Sequence, residues 1–274
     1  MVSSASIIAF IVNIVICFGM PLGCLLYLLI RRKRAFLPFL VGASVFVVFQ
    51  LIIRIPLINY ALAPMGWYQE MTQSPWLYGI FLGLTAGLFE ELGRFAGYKT
   101  LLKGRDRWID GFAFGVGHGG IEAMLLVGMT NIGNLVLSLM INNGQFSQVS
   151  AAIPADAAAQ LLSQMTALQP FDIYLGGIER IFAFTIQIAL SILVLMAVRK
   201  RSALILIAAI LVHMIIDAPV VIFPQVFGWN IYNTEIFVGV IAVLALVFII
   251  LSRRSWRDKD VPTPVIEPAG TDQL

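Results

Sequence analysis

Seven apolar stretches, each about as long as a bilayer core is thick, run through this chain at roughly 6–30, 36–60, 77–98, 110–131, 174–198, 203–223 and 234–252. A helical span needs about 20 predominantly apolar residues. The chain therefore reads as all-α, a polytopic transmembrane helical bundle of about seven spans. Hydrophobic residues make up 59% of it and charged residues 12%, about half the charged share of a soluble domain. An ordinary soluble enzyme is excluded. The fourth stretch keeps its apolar character to about Met140, past a Thr130-Asn131-Ile132-Gly133-Asn134 break. It reads either as one long tilted helix or as a helix followed by a re-entrant piece.

Orientation follows from the basic residues, which are retained on the cytoplasmic side of span ends. They cluster at Arg31 to Arg34, Lys99 to Arg107, Arg199 to Arg201 and Arg253 to Lys259, while the connections 61–76, 132–173 and 224–233 hold no Lys or Arg. This alternation places the N-terminus outside and the C-terminus in the cytoplasm. The net charge of +3 thus reflects topology and implies no nucleic-acid partner. The first stretch lacks a positive n-region and is too long for a signal peptide, so it is expected to stay as a span. Cys17 and Cys24 lie about 10 Å apart along that helix, too far for a disulfide. Residues 1–257 read as a single transmembrane domain, and 258–274, with three prolines, as a disordered cytoplasmic tail. Within the external 132–173 loop, Pro154 to Leu168 reads as a short helix with Leu161, Leu162, Met165 and Leu168 on one face. It serves either as an interfacial helix or as a lid.

Ionisable residues inside spans mark functional sites by default, because burial in hydrocarbon is costly. Glu90, Glu91 and Arg94 fall in the third span, His118 and Glu122 in the fourth, and His213 and Asp217 in the sixth. Gly79, Gly83, Ala86, Glu90, Gly93 and Gly97 form a stripe of small residues on a 3.6-residue helix, so Glu90 faces the packed interior. A Glu-Arg pair tying two helices together would explain one carboxylate and leave the second unexplained. His118 with Glu122, and His213 with Asp217, each stand one turn apart on one helical face.

Counted at 1.5 Å per residue from the basic ends, Glu90, Glu91 and His118 lie about 11–12 Å deep and His213 about 16 Å. The four can share one level. Glu122 and Asp217 sit about 6 Å further out, nearer Arg54, Glu179 and Arg180, as a second polar cluster. Together the spans carry three positive charges against five negative, an excess that a bound cation or protonated carboxylates would relieve. Zinc held by two histidines and a Glu, drawn from Glu90, His118, Glu122 and His213, would meet this balance. A metal-free site with a His-activated water would meet it equally.

The combination of Glu90-Glu91 with Arg94, Phe114 to His118, and His213 to Asp217 resembles the type II CAAX prenyl proteases and the related bacterial CPBP, PrsW and YhfC families of intramembrane proteases. The stretch Gly115-Val116-Gly117-His118-Gly119-Gly120-Ile121-Glu122 is most similar to the YhfC branch of intramembrane metalloproteases. The resemblance covers about 90–217. It implies a multi-pass enzyme of the bacterial cytoplasmic membrane with Glu90, Glu91, Arg94, His118, His213 and Asp217 at its catalytic site. Many CAAX-type members have EExxxR where this chain has EExxR, which leaves both Glu90 and Glu91 as candidates for the catalytic acid. Asp217 stands where prenyl proteases carry Asn, and an ionised Asp cannot donate to an oxyanion. Prenylated substrates are not implied.

The expected function is hydrolysis of a peptide bond within or beside the bilayer by a water activated by Glu90 or Glu91 with His118. The partners would then be membrane lipid and a membrane-embedded protein or peptide substrate. A proton- or ion-coupled transporter would use the same residues as a relay, but no inverted repeats with broken helices are evident. A non-catalytic scaffold or immunity protein of the same fold is the other alternative.

Overall fold

The computed structural model describes residues 1–257. No water is available in hydrocarbon to satisfy backbone N–H and C=O groups, so spanning segments close those bonds internally as helices. Among the described residues all regular structure is helical. Six helices are long and apolar enough to cross a membrane: α1 (Ser4–Arg31), α2 (Lys33–Leu62), α5 (Trp108–Asn142), α8 (Pro170–Lys200), α9 (Ala203–Phe227) and α10 (Ile231–Trp256). A further helix of span length, α4 (Pro75–Lys99, 25 residues), is less apolar because it carries Glu90, Glu91 and Arg94. With it the bundle matches the about seven spans read from the sequence. The short helices α3 (Gly66–Thr72), α6 (Ser147–Ser150) and α7 (Ala155–Ala167) lie in the connections.

Local chemistry sets the ends of the helices. Ser74 caps α4 through its hydroxyl, which accepts from the Leu77 N–H, and Pro75 follows where no N–H is needed. Ser202 caps α9 in the same way, and α9 ends at Gly228, whose φ of 66° an L side chain would strain. Two helices change their winding at mid-length. α2 contains π-helical segments at Val47–Arg54 and Leu57–Leu62, and α5 contains one at Ala123–Gly128. Such wide turns frequently accompany functional sites, and here the first carries Gln50 and Arg54 while the third begins directly after Glu122.

The centre of the bundle is α8, which packs on α5, α10, α1, α9 and α4. Its buried Ile188, Ile192, Val194 and Leu195 share a core with Phe114, Val116 and Tyr98. The α4 and α9 helices form the most extensive pairing. A Cβ on Gly83 would come 2.9 Å from the Met214 carbonyl oxygen and one on Gly87 2.6 Å from that of Ile210. Only glycine permits this approach, which brings Glu91 within reach of His213. The small residues of α4 in fact serve two partners: Gly79, Gly83 and Gly87 face α9, whereas Gly93 and Gly97 face Phe49, Val45 and Val41 of α2. Side chains such as Leu204, Ile236 and Leu244 point outward, as lipid-facing positions do.

The fourth stretch is one continuous 35-residue helix rather than a helix with a re-entrant piece. At roughly 50 Å it is longer than the hydrocarbon is thick. Its far end packs with α7: Met165 is buried against Val2, Phe10 and Ile173, with Leu161, Leu168, Leu135 and Ile141 alongside. The apolar face of α7 therefore rests on the ends of α1, α5 and α8. The expectation for 258–274 lies outside the described residues.

Candidate active site

Glu90 and Glu91, adjacent on α4, point to different neighbours because successive helical residues are about 100° apart. Glu90 Oε2 lies 3.0 Å from His118 Nε2 of α5 and 3.2 Å from Arg94 Nη2. Glu91 Oε1 is bonded by Arg94 Nη1 and lies 2.6 Å from His213 Nδ1 of α9. Arg94, fully buried, bridges the two carboxylates one turn away. A solitary buried carboxylate or guanidinium would be prohibitively costly, so each charge here is held by its neighbours. The inner group sets two carboxylates against one guanidinium, and one proton on an imidazole brings it to neutrality. The level that the depth count assigned to Glu90, Glu91, His118 and His213 is where these four side chains come together.

Aromatic packing orients His118. Phe114, one turn earlier, stacks on the ring at 6.4 Å, and Phe46 of α2 meets it edge-on at 5.2 Å. The FxxxH spacing thus fixes the imidazole plane so that Nε2 meets Glu90. His118 Nδ1 and Glu91 Oε2 are buried without a hydrogen bond among the described residues.

Two amides that a search for charges passes over complete the site. Gln50, on the first π segment, donates to Glu90 Oε1 at 3.1 Å and accepts from Arg54 Nη1 at 3.1 Å. Arg54 is further held by Thr85 Oγ1 and the Leu82 carbonyl. Gln187, on α8, accepts from Arg94 Nη2 and donates to Glu122 Oε2 at 2.7 Å and to Glu90 Oε2 at 3.3 Å. The available signal was an uncharged polar residue within a span, which alone is common enough to pass unnoticed. Gln187 joins the inner group to an outer one.

The outer group is Glu122, Glu179 and Arg180. Arg180 donates to Glu122 Oε1 at 3.3 Å and to Glu179. Glu122 therefore engages Arg180 and Gln187 rather than sharing a ligand with His118, despite their one-turn spacing. Arg54 departs from this cluster and serves the Gln50 side. Asp217 Oδ2 stands 3.4 Å from His213 Nε2, with its side chain 43% exposed. A cavity of about 340 Å³ connects the two groups, with Gln50, Arg54, Glu90, Glu122, Glu179, Arg180, Gln187, His213 and Asp217 on its walls. Leu126 and Val220, also on the wall, are exposed at the bundle surface, so the cavity reaches the lateral face between helices.

The donor set can be tested against zinc, which in catalytic sites takes three protein ligands. Glu90 Oε2 and His118 Nε2 converge, but His213 is turned to Glu91 and Glu122 to Arg180 and Gln187. Among the described residues no three His, Cys, Asp or Glu side chains form a metal-holding group. The set expected from Glu90, His118, Glu122 and His213 does not form a three-ligand site in this arrangement, because Glu122 is held by Arg180 and Gln187 and His213 Nε2 stands beside Asp217.

Residues 16–245 match the family described as YhfC intramembrane metalloprotease. The uncharacterized membrane protein YhfC of Bacillus subtilis (strain 168) is 34% identical over 257 residues, covering 93% of this chain and 99% of that protein. No solved structure matches the chain. The chain belongs to the YhfC intramembrane metalloprotease family, and it is a membrane protein.

Proposed function

We propose that this YhfC family member is an intramembrane endopeptidase in which Glu90, seated against His118, activates water for attack on a peptide bond. The observation that carries this reading is Glu90 on the wall of a polar cavity at span depth, with the buried His118 ring held 3.0 Å from it. A carboxylate within hydrogen-bond reach of a water it must deprotonate is the geometric requirement for a general base. Glu90 takes a proton from the water while the water oxygen bonds to the carbonyl carbon, whose π electrons move to the oxyanion. Nδ1 of His213 donates to Glu91, so in the imidazolium form Nε2, facing the cavity beside Asp217 at a long 3.4 Å, is the second donor, positioned to receive the oxyanion. The C–N bond then breaks as the leaving nitrogen takes the proton from Glu90. Arg94 and Gln187 hold the carboxylates in place, and Glu91 orients His213.

Every step uses the chain's own residues. None of them draws on a metal, so under this reading a chelator leaves cleavage unchanged. Loss of cleavage on chelation and its return with zinc would transfer His213 to a metal and overturn the metal-free mechanism. The order of acid pair, FxxxH and HxxxD supports kinship with the type II CAAX, CPBP and PrsW proteases. The clustering of Lys and Arg on alternate connections supports residence in the bacterial cytoplasmic membrane with the basic ends in the cytoplasm. The substrate is a membrane-embedded protein or peptide, which would enter between Leu126 and Val220. Replacement of Glu90 by Gln is the direct test.

A further inference from the structure

At the basic end of the bundle, away from the acid pair, three helices bring arginines to one concavity. Arg32 follows α1, Arg107 caps α5 and Arg253 lies in the last turns of α10, and all three line a cavity of about 440 Å³. The rest of its wall is Tyr27, Trp108, Ile109, Phe112 and Trp256. That volume is within the usual range for small-molecule sites. A second cavity of about 350 Å³ shares Trp108, Phe112 and Arg253 and continues along α10 past Ile249 and Ile250. The two cavities adjoin at these shared walls, the first lined by Arg32, Arg107 and Arg253 and the second by Arg253 and Arg254 with the apolar Ile249 and Ile250.

Positive charge at cytoplasmic span ends is general, so charge alone would say only how the chain is oriented. What distinguishes this site is construction. Arg253 lies over the Trp108 ring at 5.4 Å, and Trp108 Nε1 donates to Ser252 Oγ at 3.0 Å, which joins α5 to α10. Trp256 Nε1 donates to the Asp106 carbonyl at 3.1 Å while Arg199 lies over its ring at 5.0 Å. The aromatic walls are therefore held in place. Asp110, bonded to Arg107 at 2.8 and 2.9 Å, balances one of the three arginines, and among the described residues that line the first cavity Arg32 and Arg253 keep the balance positive. A small soluble anion would use the arginines and leave Phe112, Ile249 and Ile250 idle.

We propose that this cleft binds one anionic phospholipid, its phosphate among Arg32, Arg107 and Arg253 and an acyl chain along Phe112, Ile249 and Ile250. The site stands apart from the acid pair and does not depend on its chemistry. Basic pockets between transmembrane helices are suited to such headgroups, and the bound lipid would brace α10 against α5.

A photoreactive phosphatidylglycerol, with the diazirine on its acyl chain, is added to purified full-length protein and the labelled peptides are mapped. Labelling is expected at 107–112 and 249–256, and competed by unlabelled phosphatidylglycerol but not by phosphatidylcholine or inorganic phosphate. In native mass spectrometry R32Q/R253Q should lose phosphatidylglycerol retention. Each lost basic group is worth about fivefold near an anionic ligand, roughly 30-fold for the pair. K33Q/R34Q, on neighbouring exposed residues, should retain wild-type binding. Labelling spread evenly around the bundle, competition by phosphatidylcholine, or equal losses in both double variants would overturn the proposal. Labelling uses the wild-type protein, so it decides the question even if R32Q/R253Q fails to fold.

Discussion

Replacing Glu90 by Gln separates the chemistry of the site from its architecture. Both Glu90 oxygens accept: Oε1 from Gln50, and Oε2 from Arg94 and Gln187, with His118 Nε2 alongside. A Gln amide must present its NH2 group to one of these sides. The less costly choice turns it toward Gln50, whose amide can flip to offer its oxygen. Arg54 Nη1 then loses its acceptor but keeps the other contacts of its guanidinium, to Leu82 and Thr85. Arg94 retains Glu91 and Gln187. One displaced hydrogen bond in a buried network costs about 1–2 kcal/mol, so thermal unfolding in detergent should shift modestly and insertion should be unaffected. Activity should behave differently. Loss of a general base lowers the rate by about 100-fold or more. The assay is turnover of a substrate found by comparing membrane peptides from cells with and without the protein. Glu91→Gln should cost more stability, because Glu91 is fully buried and anchors both Arg94 and His213, and less of the chemical step. If Glu91→Gln abolishes turnover while Glu90→Gln is partly active, the base role passes to Glu91. Parental turnover by both variants refutes the peptidase reading of this site.

Gln187→Leu removes an acceptor from Arg94 and a donor from Glu122 and Glu90; unsatisfied buried groups of this kind cost about 1–3 kcal/mol each, read as a lower unfolding temperature together with reduced turnover, and an unchanged melt would show that the amide is dispensable. Gly87→Val would force α4 from α9, since even a Cβ stands 2.6 Å from the Ile210 oxygen. Overpacking of this kind costs about 1–3 kcal/mol, and crosslinking between α4 and α9 should weaken. Reporter fusions at the C-terminus and at Asp156 should report opposite sides of the membrane, cytoplasmic and external. A C-terminal fusion active only outside would reverse the orientation.

The spans and the candidate residues were legible in the chain itself, because both depend on the cost of transferring groups into hydrocarbon. An apolar run of about 20 residues is a helix wherever it crosses, and a Glu-Glu pair or a His inside such a run stands out against it. Helical spacing also indicated which of these side chains share a depth. Pairing between helices was not legible, since it depends on how closely two backbones approach and how rotamers settle between them. Thus Glu91 meets His213 because Gly83 and Gly87 admit α9, and Glu122 turns from His118 to Arg180 and Gln187 because α8 runs through the centre. The Gln50 and Gln187 amides became part of the site for the same reason: in one dimension an amide in a span carries no charge to mark it, and only in the packed bundle is it the donor that a buried carboxylate needs.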